Sequence, residues 1–161
     1  MSDALDHRVL DSQLEPLSTA PRWWLGFSGG VDSTVLLHLL QRWRRANPGA
    51  PGLYALHIHH GLQPQADDWL APCEQVCNFL HVEFVSRRVT SEDGGRGLEA
   101  AARGARYRVF EEVVQAGDVL FLAHHLDDQV ETFFLRLMRG AGTRGLAAMP
   151  ARRALGAGSL S

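Results

Sequence analysis

The sequence contains no lysine: all sixteen of the basic residues among its 161 positions are arginine. Such a bias is typical of GC-rich genomes, but it also excludes two kinds of site. A Walker-A phosphate loop and a Schiff-base centre both need a lysine amine. Acidic residues exceed basic ones, giving a formal charge of −2. The chain is therefore not basic as a whole, and any contact with nucleic acid must depend on local patches.

Cysteine and long apolar runs are also scarce. The two cysteines, Cys73 and Cys77, cannot form a disulfide framework or a four-cysteine zinc site. Their spacing places both on the apolar side of a predicted helix, which favours buried structural thiols over a reactive pair. No apolar run approaches the ~20 residues of a membrane span, and the polar first 22 residues do not resemble a signal peptide. We therefore expect a cytoplasmic protein without membrane contact.

Short apolar segments alternate four times with helical patterns along the chain. This alternation predicts an α/β fold, namely a doubly wound parallel sheet with helices on both faces. The predicted strands are 23–27, 53–59, 82–89 and 119–124, and the predicted helices are 33–45, 66–80, 98–115 and 127–139, with a further helix over 3–14. One domain over 1–150 is expected, followed by a small, Gly-rich tail over 151–161 without a further strand.

The turn between the first predicted strand and the first long helix is rich in glycine and serine. Its sequence is Ser28-Gly29-Gly30-Val31-Asp32-Ser33. The glycines allow backbone N–H groups to approach a phosphate, while the serine hydroxyls and the helix N-terminus add further donors. Asp32 would repel a phosphate unless a cation bridged them, so Asp32 is a predicted Mg²⁺ ligand. The alternative is an ordinary strand–turn–helix connection in which Asp32 or Ser33 is the N-cap.

This segment resembles the PP-loop of the ATP pyrophosphatase superfamily, whose fold is similar to that of the adenine nucleotide alpha hydrolases. Further blocks resemble the catalytic domain of the tRNA(Ile)-lysidine synthetase family. They are 59–62 with Ala66, Asp67 and Trp69, then 98–103 with 105–107, then 124–132, and finally 139–149. The similarity extends from about Trp24 to Met149, and the block after the fourth strand is its most specific part.

The resemblance implies an ATP- and Mg²⁺-dependent ligase that joins free L-lysine to a minor isoleucine tRNA with a CAU anticodon. It implies a nucleotide pocket that includes His59, His60 and His124. It also makes Asp128 and Glu131 an acidic pair that binds Mg²⁺ and positions the lysine amine. On a helix these two carboxylates, three positions apart, would share one face near the N-terminus, where they could also simply cap the helix.

Arg103 and Arg106 are candidates for stabilising charge on the transferred phosphoryl group or for contacting the tRNA backbone. Surface ion pairing with Glu99 or Glu111 is an open alternative for either arginine. A zinc site among the strand-end histidines is a weaker interpretation, because the resemblance already gives the two His-His pairs a role in the nucleotide pocket.

Two other functions are open from the sequence. Family members normally continue beyond this point, so the chain resembles a truncated catalytic domain. It could then be a nucleotide-binding fragment without activity of its own. The other alternative is a different PP-loop ligase, either an amidating enzyme or a thiolating one. The thiolating relatives rely on Cys-x-x-Cys pairs, whereas Cys73 and Cys77 are separated by three residues.

Overall fold

The computed structural model describes residues 7–59, 66–90, 97–126, 129–136 and 154–155. Its elements are α1 (His7–Leu14), β1 (Arg22–Gly26), α2 (Val31–Ala46), β2 (Gly52–His59), α3 (Ala66–Leu80), β3 (Glu83–Arg88), α4 (Leu98–Val113), β4 (Val119–Leu126), β5 (Gln129–Arg136) and β6 (Ala154–Leu155), with a short 3₁₀ turn over Glu15–Leu17.

The strands form one sheet in the order β3-β2-β1-β4-β5-β6. β1, β2, β3 and β4 pair in parallel, as predicted. The chain moves outward from β1 to β3 and then crosses back to place β4 on the other side of β1. The carboxyl ends of β1 and β4 therefore flank the point where the strand order reverses, which is where open α/β sheets bind their ligands.

Both faces of the sheet are covered, because successive residues of β1 point to opposite sides. Trp23 is fully buried in a core cluster with α1, α2 and α3, whereas Trp24 is buried in a second cluster with α4. A strand that buries consecutive tryptophans in this way is typical of a parallel sheet between two helical layers. The predicted helices on both faces are thereby confirmed.

The predicted N-terminal helix is confirmed over His7–Leu14, and Leu14 is fully buried in the first cluster. The indole N–H of Trp43 in α2 donates to Asp11 Oδ1 at 2.7 Å. α1 is therefore attached both to the core and to α2.

The prediction of a helix over 127–139 was wrong. Gln129–Arg136 is strand β5, which pairs antiparallel with β4 in a register that places Glu131 opposite His124. β-Branched and aromatic residues such as Val130, Thr132 and Phe134 suit a strand, and pairing along the full length of β4 outweighs the local helical spacing. The prediction that Asp128 and Glu131 share a helix face is not met, because Glu131 lies in a strand; Asp128 lies outside the described residues.

The expectation of no further strand after position 150 was also wrong, because Ala154–Leu155 pairs with Thr132 and Phe133 as β6. Within the described ranges, none of the helices has the length and apolar content needed to cross a membrane.

Candidate nucleotide-binding site

The glycine-rich turn begins directly after β1 and bends sharply at Gly29. This residue has φ +84°, a left-handed conformation that side-chain-bearing residues rarely adopt. A Cβ atom at Gly29 would lie 2.6 Å from the Sγ atom of Cys73 in α3, which is closer than atoms can pack. Both the backbone conformation and the contact with α3 therefore require glycine at this position.

The turn delivers the chain into the N-terminus of α2. Gly30 is the N-cap residue, with φ −73° and ψ 172°, and it has no side chain with which to cap the helix. Val31, the first residue of α2, is 78% exposed. The first-turn amides of a sixteen-residue helix, which have no acceptor within the helix, thus lie at an open surface with the positive end of the helix dipole. This is the arrangement that binds phosphate groups.

Hydroxyl groups hold the turn in shape. Ser28 Oγ lies 3.0 Å from Ser33 Oγ and accepts a hydrogen bond from the Gly30 N–H at 3.2 Å. The Gly30 carbonyl accepts from Ser33 Oγ at 3.3 Å and from Thr34 Oγ1 at 2.7 Å. All these bonds are satisfied together when the Ser28 hydroxyl donates to Ser33. Ser28 is exposed and Ser33 is buried, so Ser28 is the hydroxyl that an incoming phosphate can reach.

Asp32 lies in the first turn of α2, next to this surface, and is partly buried. Among the described residues, no cluster of three or more acidic, histidine or cysteine side chains could hold a metal ion by itself. A single carboxylate still fits Mg²⁺, which usually takes one or two carboxylates together with substrate phosphate oxygens and water. Asp128, the other predicted metal ligand, lies outside the described residues.

Of the histidines predicted for the nucleotide pocket, His59 is the one whose side chain is described. It is buried at the carboxyl end of β2, and its carbonyl accepts the Val89 N–H at 2.9 Å. His124 lies in β4, where only its backbone is described, and His60 lies outside the described residues. His59 therefore lies at the carboxyl edge of the sheet, where the nucleotide pocket is predicted; its role stays a prediction.

Arg103 and Arg106 lie in α4, which covers the opposite face of the sheet from α2. The Arg106 side chain is exposed, and of Arg103 only the backbone is described. A phosphoryl or tRNA contact and an ion pair with Glu99 or Glu111 both stay predictions for these two arginines.

Sequence reasoning missed two side chains that contact the turn from outside. His57 in β2 is buried, and its Nδ1 lies 2.8 Å from the carbonyl oxygen of Phe27, the residue before Ser28. Cys73 in α3 is 2% exposed and packs under Gly29. The alternation of His57 and His59 on one face of β2 was a usable signal, but the contact itself depends on the register of β1 and β2.

The cysteines are buried and free, as predicted. Burial raises the pKa of the Cys77 thiol to about 12, with smaller contributions in the same direction from Cys73 and Glu74. Burial also raises the pKa of Cys73. Since the thiolate is the reactive form, neither cysteine is suited to persulfide chemistry.

An apolar groove of about 620 Å³ lies between α2 and α3, with Val35, Leu39 and Phe79 among its lining residues. Apolar grooves are common ligand sites, but this one offers few hydrogen-bond donors. A triphosphate needs donors and positive potential, so the turn after β1 is the better candidate for a nucleotide.

The chain is similar to known proteins over most of its length. Three curated proteins named tRNA(Ile)-lysidine synthase are similar to the chain. Those of Pseudomonas putida, Pseudomonas syringae pv. tomato and Pseudomonas aeruginosa are 54%, 56% and 53% identical to it over 91%, 98% and 97% of its length. The chain spans only 34–35% of these relatives.

A solved structure shares the fold. The U34-tRNA thiolase NcsA from Methanococcus maripaludis with its [4Fe-4S] cluster superposes with a TM-score of 0.58 at 22% identity, over 75% of this chain and 45% of that protein. The sequence also matches the PP-loop domain over residues 3–161. Because this match extends over nearly the whole chain, and a glycine-rich turn leads from β1 into α2, the chain belongs to the PP-loop family.

Proposed function

We propose that this chain is the ATP-binding and adenylating part of an enzyme that ligates lysine to the wobble cytidine of a minor isoleucine tRNA, giving lysidine. The curated relatives carry the name of that activity, and the similarity extends over nearly all of the chain. A cytoplasmic location belongs to the same proposal, since tRNA is its substrate.

The observation that carries the nucleotide part is the turn from Ser28 to Ser33. Left-handed Gly29 and the open N-terminus of α2 form a cradle of backbone donors at the strand-order reversal, and the exposed Ser28 hydroxyl joins it when its proton turns from Ser33 to a phosphate oxygen. Such a cradle suits the leaving pyrophosphate of ATP rather than a neutral group.

In the first step, the 2-carbonyl oxygen of the cytidine attacks the α-phosphorus of ATP, and the bond to the pyrophosphate breaks. The turn amides and the N-terminus of α2 take up the negative charge that develops on the pyrophosphate. Asp32 would hold a Mg²⁺ ion, which would supply further neutralisation of the pyrophosphate charge.

In the second step, the side-chain amine of lysine attacks the activated carbon, and AMP leaves. The amine must lose a proton to become nucleophilic, and Asp128 or Glu131 is proposed as the carboxylate that accepts it. His59, His60 and His124 are proposed to line the nucleotide pocket, and Arg103 or Arg106 to contact phosphate or tRNA.

A thiolating enzyme is the less favoured alternative. The similarity to the thiolase is limited to the fold, and the buried, protonated state of Cys73 and Cys77 argues against sulfur transfer by these residues. A nucleotide-binding fragment without turnover is the second alternative, because the curated relatives are about three times as long as the matched segment.

Release of pyrophosphate from ATP distinguishes these functions. The 161-residue chain is incubated with ATP and Mg²⁺, together with an isoleucine tRNA transcript with a CAU anticodon, a transcript with a different anticodon, or a small carboxylic acid. Release that depends on the first transcript supports the proposal. Release triggered equally by the second transcript would indicate another PP-loop tRNA-modifying ligase, such as a thiolating enzyme, and release triggered by the acid would indicate an amidating ligase. Bound ATP without release would indicate the inert fragment.

A further inference from the structure

Two buried side chains from different elements contact the backbone of the turn between β1 and α2. β1 and β2 pair in parallel with Gly26 opposite Leu56, so that His57 lies beside Phe27, where β1 ends. The His57 ring is 6% exposed, and its Nδ1–H donates to the Phe27 carbonyl across 2.8 Å. The ring also stacks on Phe84 of β3, with 6.0 Å between centroids, which limits its rotation.

The second contact comes from α3. The Cys73 side chain is 2% exposed, and its Sγ atom occupies the space that a side chain at Gly29 would need. α3 is therefore packed against the turn at Gly29, the residue of the turn whose backbone is left-handed. The side chain at position 73 therefore packs directly on the backbone of Gly29.

We infer that His57 and Cys73 are positioning residues of the phosphate-binding turn, and this inference rests on the proposed function. His57 fixes the backbone at Phe27, where the turn begins, and Cys73 sets the depth of Gly29. Between these two points lies Ser28, the exposed hydroxyl of the cradle. Neither side chain touches the nucleotide; both act through the backbone that does.

Positions this close to the cradle matter because hydrogen bonds to phosphate oxygens weaken steeply with distance and angle. A shift of the turn by a fraction of an ångström changes several donor contacts at once. The effect should fall on the pyrophosphate of ATP. AMP lacks that group, so its affinity should be unchanged.

The test for His57 compares two amides of different length. In His57→Asn the side-chain N–H takes the place of Nδ1–H, whereas in His57→Gln it is displaced by one bond. Affinities for ATP with Mg²⁺ and for AMP are measured by calorimetry on the 161-residue chain, and unfolding in urea gives the stability of each variant. We expect His57→Gln to bind ATP about ten-fold more weakly, the equivalent of one hydrogen bond, and His57→Asn to stay within about three-fold of the unchanged protein.

The test for Cys73 varies volume. Cys73→Ser keeps a single γ atom of slightly smaller size and should bind ATP normally, whereas Cys73→Val increases the volume of the side chain that contacts Gly29 and should weaken binding of ATP but not of AMP. Val114→Ala is the matched control, because Val114 is buried against α4 on the other face of the sheet. It should lower stability by about 1–2 kcal/mol without changing either affinity.

Equal loss of ATP and AMP affinity in His57→Gln and Cys73→Val, or no loss in either, overturns the positioning role. Equal weakening by His57→Asn and His57→Gln also overturns it, since the bond to Phe27 would then not be the cause. If the unchanged protein binds ATP no more tightly than AMP, the proposed function itself fails. If it binds ATP more tightly but the variants keep the same ratio of ATP to AMP affinity, only the positioning role fails.

Discussion

Asp118 is fully buried at the amino end of β4, at the opposite edge of the sheet from the phosphate-binding turn. Its Oδ2 accepts hydrogen bonds from the Trp24 indole and the Gln115 backbone N–H, both at 3.0 Å, and pairs with Arg22 at 3.3 Å. These bonds connect β1 to the start of β4. The residue therefore stabilises the junction of the two strands that flank the proposed site without belonging to it.

Replacing Asp118 with Ala should lower the free energy of unfolding by about 3 kcal/mol, because the Trp24 N–H would be left buried without its acceptor. Arg22→Ala should cost about 1 kcal/mol or less, since the arginine side chain is 33% exposed and its charge is screened by solvent. Unfolding in urea measures both. Equal losses from the two variants would contradict a role for Asp118 beyond the ion pair.

The raised pKa of Cys77 predicts how the stability of the protein depends on pH. Its thiol has an ordinary pKa of 9.0, and burial in the folded protein raises that value to about 12. Between these values the unfolded chain ionises while the folded protein keeps its proton, so the unfolded state is favoured. The contribution of Cys77 to stability should thus be complete below pH 9 and decline as the pH rises toward 12. The free energy of unfolding is measured in urea from pH 8 to 10.5 for the unchanged protein and for Cys77→Ala. It should decline more steeply with pH in the unchanged protein. Parallel declines would contradict the raised pKa of Cys77.

At the scale of elements, β5 is the point where the sequence pattern and the structure disagree. If Gln129–Arg136 pairs with β4 in the observed register, Ala123 lies directly opposite Thr132. Opposite residues of antiparallel strands lie close enough for a disulfide. Ala123→Cys with Thr132→Cys should therefore cross-link on mild oxidation, detected by intact mass after alkylation.

The control for this pair is Ala123→Cys with Phe133→Cys. Phe133 lies opposite Leu122, so its side chain points to the other face and should not reach position 123. Cross-linking of the control, or of neither pair, would contradict the strand and restore the helix predicted for this segment.

The elements from β1 to β4 could be predicted because each has a length and period that only one structure satisfies. The run of apolar residues from Trp23 to Phe27 is too short for a helix, and the stripe containing Leu36 and Leu40 is too long for a strand. The segment from Val130 to Leu135 satisfies neither criterion alone, since the same residues suit an amphipathic helix or a paired strand. Its structure is determined by pairing with β4, which the local sequence does not contain.

Within the candidate site, too, some features could be predicted from the local sequence and others could not. The turn from Ser28 to Ser33 was predictable, because glycine and serine between a strand and a helix have a direct physical consequence. The contacts of His57 and Cys73 with that turn were not, because they depend on which strand and which helix lie beside it. Local sequence thus identifies the candidate binding groups, and tertiary structure identifies the side chains that contact them.

At the scale of the whole molecule, the described residues form a sheet between two helical layers, with a polar turn at the reversal of its strand order. The formal charge of −2 gives the domain no general affinity for RNA. In the proposed function, recognition of a particular tRNA must therefore depend on local groups. Whether those within this chain suffice is a question that one experiment answers.

That experiment is the transfer of AMP from α-labelled ATP to tRNA by the 161-residue chain, with Mg²⁺ present and lysine withheld. We expect label on an isoleucine tRNA transcript with a CAU anticodon and none on the methionine tRNA that shares this anticodon. Addition of lysine should then release the label as AMP. A folded chain that binds ATP but labels neither tRNA would contradict the adenylating function and leave nucleotide binding alone.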